Sequence, residues 1–299
     1  MASDSILAGS TSASLNHPPD PTARLPVPRW GHRYAGVAVV TYLDDIVAAH
    51  RASAQEDVRP LDPLVEAALR TAPPRAFASA LVNQPGLSVI AEIKRRSPSK
   101  GDLAPGLVPE VLAKAYADGG AVCLSVLTDR DFFGALPDDL SEARASADIP
   151  VLRKDFTVSA HDVCDACLMG ADVVLLIVAA LDDHELRAFH DLATELGMGV
   201  LVEVHDEAEL DRALAAGATL VGVNQRDLST FEVDARRAVR VAAHIPDCVV
   251  KVAESGITGP ADVAPLCEAG YHAVLVGESL VTSPDPAAAV RELRSAPCS

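Results

Sequence analysis

The run Ser88-Val-Ile-Ala-Glu-Ile-Lys94 is the stretch on which the reading of this chain turns. It is short, rich in strand-forming residues, and carries two charges two positions apart at its end. Seven similar runs follow: AVCLSVL (Ala121 to Leu127), PVLRKDF (Pro150 to Phe156), DVVLLIV (Asp172 to Val178), GVLVEVH (Gly199 to His205), LVGVNQR (Leu220 to Arg226), VVKVAES (Val249 to Ser255) and HAVLVGE (His272 to Glu278). Helical patterns rich in Ala, Leu, Glu and Asp lie between them, and most runs start just after Gly-Ala, Pro or Gly, which end a helix. Starts fall 21 to 33 residues apart, the length of one strand, one helix and two short loops. Repeated β-α units require parallel strands with helices outside. Eight of them predict an α/β fold, a closed (β/α)8 TIM barrel. An open doubly wound sheet would usually place a Gly-x-Gly-x-x-Gly turn after its first strand, and Glu92-Ile-Lys-Arg-Arg-Ser97 is not one.

Upstream, helical spacing recurs from Tyr42 to Ala52 and from Leu61 to Leu69, so two N-terminal capping helices precede the barrel. Residues 1 to 35 hold Pro18, Pro19, Pro21, Pro26 and Pro28 without apolar period and read as a disordered tail. That leaves 36–299 as a single barrel domain. A formal net charge of −17 argues against a general nucleic-acid or anionic-membrane binder. The longest apolar runs, such as Val173 to Leu181, are about half of what a membrane-crossing helix needs. Six scattered cysteines without dense spacing or an acceptable secretory signal point to a reducing cytoplasm.

On a strand, residues two apart share a face. Glu92 and Lys94 therefore point together into the barrel while Ile93 faces the helices. The same alternation collects Lys154 at the end of the third strand, Glu203 in the fifth, and Asn224 and Arg226 in the sixth, with His205 at the rim. Burying a charge without a partner costs several kcal/mol, so these are poor choices for packing alone, and the plain alternative is an ion pair that plugs the barrel. Polar groups from four strands converge on one mouth, where barrel enzymes keep their active sites. Loops bearing Gly256 and Gly277 follow the seventh and eighth strands, a common place for phosphate, and Ser97 adds a hydroxyl. Lys94, Arg95, Arg96, Lys100, Arg153, Lys154 and Arg226 gather positive charge there, which favours a small anionic substrate; Arg95 and Arg96 read as solvated loop residues. His161, Cys164 and Cys167 lack the second cluster that a zinc site needs, so no metal is expected.

The runs VIAEIKRRSPSKG (Val89 to Gly101), SVLTDRDFFG (Ser125 to Gly134), PVLRKDF, LVEVH, GVNQRDL (Gly222 to Leu228), AESGI (Ala253 to Ile257) and LVGESLV (Leu275 to Val281) closely resemble those of the indole-3-glycerol phosphate synthase family, in order and spacing, from about Tyr42 to about Leu293. The resemblance implies a lyase of tryptophan biosynthesis that closes, decarboxylates and dehydrates 1-(2-carboxyphenylamino)-1-deoxyribulose 5-phosphate without metal or organic cofactor. It implies Lys154 as the best-placed acid at the ketone oxygen and Lys94, Glu203 and Glu92 as acid and base candidates, with the step that each lysine serves left open, Asn224 orienting a substrate hydroxyl or a catalytic carboxylate, and Arg226 holding the site's charges in place. Ser97, Ser255, Gly256, Gly277 and Glu278 would line the phosphate pocket, Phe133 and Leu127 would meet the aromatic ring, and the leading helices would cap the mouth. Gly134-Ala135-Leu136-Pro137 departs from the family's more frequent Gly-Gly-Ser. A phosphoribosylanthranilate isomerase would carry a Cys at the end of the first strand, where this chain has Glu92 and Lys94. A barrel kept for scaffolding would have lost a lysine or glutamate, and none is missing. No motif speaks to oligomeric state.

Overall fold

The computed structural model describes residues 41–298; the tail expected over residues 1 to 35 lies outside the described residues. Eight parallel strands form a closed barrel: β1 (Ser88–Ile93), β2 (Cys123–Leu127), β3 (Val151–Lys154), β4 (Val173–Ile177), β5 (Gly199–Val204), β6 (Leu220–Asn224), β7 (Val250–Glu254) and β8 (Ala273–Val276). Each pairs with its neighbours in sequence, and β8 closes on β1 with Ser88 beside Ala273. All eight runs read from the sequence are strands.

Alternation along the strands builds two apolar cores. Val89, Ala91 and Ile93 turn outward to the helices, whereas Ile90 packs inside with Leu152, Leu175, Leu201 and Val252. This is the parity that sends Glu92 inward, and Ile93 is buried on the helix side as expected.

Among the described residues, three helices precede the barrel. α1 (Tyr42–Glu56) starts on a capping box in which Thr41 and Asp44 exchange hydrogen bonds. Its Tyr42, Leu43 and Ile46 face the mouth at the C-terminal ends of the strands. α2 (Leu61–Ala68) packs instead against a helix on the barrel's flank, α7 (Ala160–Leu168). The expectation that both leading helices cap the mouth is therefore corrected: only α1 does. A third, unexpected helix, α3 (Phe77–Val82), puts Phe77 and Leu81 against the starting ends of the strands, where Ser88 Oγ donates to the Leu81 carbonyl at 2.7 Å.

The outer helices are α4 (Pro109–Gly119), α6 (Asp139–Ser146), α7 (Ala160–Leu168), α8 (Asp183–Glu195), α9 (Glu207–Ala215), α10 (Arg237–Ala242), α11 (Pro260–Glu268) and α13 (Pro286–Arg294), with short α5 (Arg130–Phe133) and α12 (Glu278–Val281) at the mouth. Side-chain caps start several of them: Ser159 for α7, Asp182 for α8 and Asp206 for α9 each accept from a backbone N–H three residues on. Cys267 of α11 is bonded to Cys298, a pairing that the scattered cysteines did not announce. Among the described residues no helix is long and apolar enough to cross a membrane.

The cap is fastened by charge. Arg51 of α1 reaches Glu185 of α8 with two hydrogen bonds of 2.7 and 2.8 Å. His50 of α1 lies 2.7 Å from Asp129 and 3.8 Å from Asp155, both at the mouth. Burial works against a charged His50, but the hydrogen bond to Asp129 and the charges of Asp155, Asp129 and Asp162 outweigh it and raise its pKa. A histidine raised in the folded state stabilises fully below its unfolded value of about 6.5, and that contribution is lost as pH rises through the folded value. Hydrogen-exchange protection of the α1 amides, relative to the strands, should accordingly fall as pH rises above about 6.5. The dependence should vanish in His50→Leu; protection of α1 that stays flat or climbs over that range in the wild-type chain contradicts the fastening.

Candidate active site

A cavity of about 520 Å³ opens inside the C-terminal ends of the strands, within the range of roughly 300 to 1,000 Å³ that small-molecule sites occupy. Every site residue expected from the sequence lines it: Glu92, Lys94 and Ser97 from β1 and the turn beyond, Phe133 of α5, Lys154, Glu203, Asn224 and Arg226, and Ser255, Gly256, Gly277 and Glu278 from the last two strand-end loops.

The charged groups are paired. Lys94 Nζ donates to Glu92 Oε1 at 2.5 Å, joining the two same-face residues of the first run. Lys154 Nζ donates to Glu203 Oε2 at 3.2 Å, and Asn224 Nδ2 donates to Glu203 Oε1 at 3.0 Å, so each oxygen of that carboxylate has its own donor. The backbone N–H of Arg226 donates to Asn224 Oδ1 at 3.0 Å, which fixes the orientation of the amide. Behind Glu203, His205 stands 3.6 Å away and holds Glu209 at 3.0 Å. It does not line the cavity, in keeping with a place at the rim.

Glu254, at the end of β7, is the residue the sequence reading missed. It lines the cavity, is 1% exposed, and its Oε1 has no hydrogen-bond partner among the described residues. The signal was available: in VVKVAES the alternation that places Val252 inside places Glu254 inside too, as it does for Glu203. Burial, then the nearby Glu203 carboxylate, push the Glu254 pKa well above the ordinary range. Glu203 goes the other way: burial opposes its charge, yet Lys154, His205 and Asn224 together lower its pKa. Burial also opposes the charge on Lys154, and the carboxylates of Glu203, Glu254 and Glu92 outweigh it and raise its pKa. The arrangement is two ion pairs and one buried carboxyl group whose ionisation is opposed by burial and by the neighbouring Glu203 charge.

The remaining walls divide by chemistry. Leu127, Phe133, Phe156, Leu175 and Ile177, on the side of β2 to β4, give an apolar face, with Phe133 and Phe156 ring centroids 6.3 Å apart. Ser97, Ser255, Gly256 and Gly277 line the side of β1, β7 and β8. Ser255 and Gly256 are both left-handed, at φ 66° and 72°, a conformation that a non-glycine residue adopts at a cost of about 1 to 3 kcal/mol and that clusters at ligand sites. Gln225 Nε2 holds the turn by donating to the Ser255 carbonyl at 2.8 Å. Gly277 leads into α12, whose first N–H groups have no partner within the helix. It has a second reason to be glycine: a Cβ there would collide with Glu92 Oε1 and stand 3.0 Å from Glu92 Cδ.

Several expectations for the basic mouth change. Arg95 is no solvated loop residue: it is 9% exposed, binds Asp139 through two hydrogen bonds of 2.6 and 3.0 Å, and donates to the carbonyls of Pro105 and Leu107. Arg96 donates to the carbonyls of Asp131 and Phe132, clamping α5. Arg153 leaves the cavity, bound to Asp155 at 2.8 Å and Thr128 at 3.0 Å. Arg226 directs its guanidinium to the Phe231 carbonyl at 3.1 Å, so only its backbone touches the charged cluster. Lys94, Lys100, Lys154 and Arg226 therefore face the cavity alongside Glu92, Asp155, Glu203, Glu254 and Glu278, and the mouth is mixed in charge. His161 Nε2 donates to the Arg59 carbonyl at 2.8 Å, outside the mouth, while Cys164 and Cys167 are buried in α7. His50, Asp129 and Asp155 do bring donor atoms within 4.8 Å of one another. Those acids are already engaged, Asp129 by the N–H groups of Phe132 and Phe133 and Asp155 by Arg153 and Thr128.

Similarity to other proteins agrees with this geometry. The chain is 52% identical over 260 residues to an indole-3-glycerol phosphate synthase of Nocardioides sp., covering 85% of this chain and 98% of that protein. It is 50% identical over 258 residues to one of Mycolicibacterium smegmatis, covering 86% and 94%. Among solved structures, a thiamine phosphate pyrophosphorylase from Pyrococcus furiosus superposes with a TM-score of 0.53 at 17% identity, covering 73% of this chain and 96% of that one, which shows a shared fold alone. The family model of indole-3-glycerol phosphate synthase matches residues 43–293, from the first turn of the capping helix to the end of α13, and the chain belongs to that family.

Proposed function

We infer that this chain closes the ring of 1-(2-carboxyphenylamino)-1-deoxyribulose 5-phosphate, releasing CO₂ and water to give indole-3-glycerol phosphate in tryptophan biosynthesis, in the cytoplasm. The observation that carries the reading is the Lys154–Glu203 pair, an ammonium held charged where the apolar wall and the glycine-bearing loops meet one cavity.

The ring carbon that bears the carboxylate attacks the sugar ketone, and the electron pair of the C=O bond moves to oxygen. Lys154 delivers a proton to that oxygen, and Glu203 and Asn224 aim its ammonium group. The bond to the carboxylate then breaks, CO₂ leaves, and its electron pair restores the aromatic ring. In the last step the new hydroxyl departs as water after protonation, and a proton leaves the neighbouring carbon. The Lys94–Glu92 pair, 2.5 Å apart, has both functions that this dehydration needs, an acid and a base. Every step moves protons among groups that the chain itself carries, so the mechanism has no place for a metal or organic cofactor. The aromatic ring fits the wall of Leu127, Phe133 and Phe156, and the phosphate fits the loop amides around Gly256 and Gly277 with Ser97 and Ser255.

Purified protein given this substrate should develop indole absorbance and release CO₂, leaving phosphoribosylanthranilate untouched; no indole from this substrate sinks the assignment. Lys154→Met keeps the length and removes the charge and proton, so turnover should fall on the order of 10² to 10⁴, the range for a general acid. The variant should melt within a few degrees of wild type, and near-normal turnover would remove Lys154 from the chemistry.

Inorganic phosphate should compete with substrate. Gly277→Val should weaken that competition by blocking close approach of the anion, and should also lower turnover by displacing Glu92. Phosphate inhibiting the variant as well as it inhibits wild type would move the anion site elsewhere.

A further inference from the structure

Gly222 stands in the middle of β6, on the inner face between Leu220 and Asn224. Its φ lies outside the left-handed region, so the backbone gives no reason for glycine. Glycine inside a strand weakens it and marks a place where another group comes close. That group is a side chain: a Cβ on Gly222 would collide with Glu254 Oε1 and stand 3.0 Å from Glu254 Cδ and 3.3 Å from Leu201 Cδ1. In the strand register Glu254 lies beside Asn224, while Val252 lies beside Gly222. The Glu254 side chain thus leans back along the strand by two residues, toward the barrel floor, and its carboxyl group fills the space that a side chain at position 222 would take. Gly277 and Glu92 repeat the arrangement between β8 and β1.

We propose that Gly222 is a positioning residue for the acid–base cluster: its missing side chain is the seat that holds the Glu254 carboxyl group down in the barrel, beside Glu203. With a methyl group in the seat, Glu254 must swing toward Glu203 or toward the cavity. Either movement disturbs the carboxylate that pairs with Lys154 at 3.2 Å and Asn224 at 3.0 Å. The catalytic part of this proposal rests on the reaction inferred above; the seat itself does not.

The test is a cycle of Gly222→Ala with two changes at Glu254. Gly222→Ala should lower kcat by roughly tenfold or more while KM moves by less than about threefold, the pattern of a group that shapes the transition state and not substrate binding. Glu254→Asp shortens the side chain by one methylene. Alone it should be slower than wild type, yet combined with Gly222→Ala it should turn over faster than Gly222→Ala alone. Losses that simply multiply in the double variant, or near-normal kcat in Gly222→Ala, overturn the proposal. Thermal unfolding reads the seat without substrate: the added methyl should lower the melting temperature less in a Glu254→Ala background than in wild type. If Gly222→Ala does not fold, Gly222→Ala with Glu254→Ala must; failure of both puts the obstruction at Leu201 and overturns the proposal. Wild-type protein without turnover would refute the reaction, and the unfolding cycle would then decide the seat by itself.

Discussion

Two lysines and three glutamates share the inside of one barrel, the glutamates all buried, and the rest of the molecule is arranged around that fact. At 3.2 Å the Lys154–Glu203 pair attracts by about 5 kcal/mol at an effective dielectric near 20, against a desolvation cost of several kcal/mol for each ion. The two nearly cancel, so the pair is no source of stability. A third ionised carboxylate in the same space would have no cation left to meet it, since Lys94 is taken by Glu92. Burial and the Glu203 charge accordingly oppose ionisation of Glu254 and hold its pKa well above the ordinary carboxylate range. The site therefore holds fixed charges of both signs within one cavity, beside a carboxyl group whose ionisation is opposed, already in place before substrate arrives, which is the condition under which preset charge lowers a barrier most.

The scaffold serves this cluster in three ways. Parallel strands present their ends together, so residues far apart in sequence point into one space. Glycines at 222 and 277 leave room for two of the carboxyl groups, which an ordinary barrel interior would fill with apolar side chains. Finally, α1 lays Tyr42, Leu43 and Ile46 over the mouth, and its His50 and Arg51 fasten it to acids on the barrel. The apolar face beside the cluster suits an aromatic ring, and the left-handed turn at Ser255 and Gly256 suits an anion.

Most of the fold was legible because each strand carries its own period and its own stop signal. The inward charges were legible for the same reason: alternation is a local property, and Glu92 beside Ile93 settles both directions at once. Glu254 obeys the same rule, but it also opens the glycine-bearing turn Glu254-Ser-Gly256, whose residues carry the stronger loop signal. Arg95 and Arg153 could not be placed, since their partners Asp139 and Asp155 meet them only after the chain has folded, and an arginine beside a strand end reads the same whether solvated or buried. The destinations of α2 and α3 were hidden for a related reason. Amphipathic spacing says that a helix covers something; only the path of the chain puts α2 on α7 and α3 at the floor. The bond between Cys267 and Cys298 joins residues 31 apart and left no pattern to read.

The charge arrangement of the site turns on the proton of Glu254. Carbon NMR of protein labelled at the glutamate side-chain carboxyl carbon reads it directly. At about pH 6, well above the roughly 4.3 of an unperturbed glutamate, one resonance should still have the shift of a protonated carboxyl group, should be absent from Glu254→Gln, and should move to the carboxylate position only as pH rises further. If every glutamate resonance stands at the carboxylate position at that pH, the interior holds three ionised carboxylates against two lysines, and the charge arrangement described for this site is wrong.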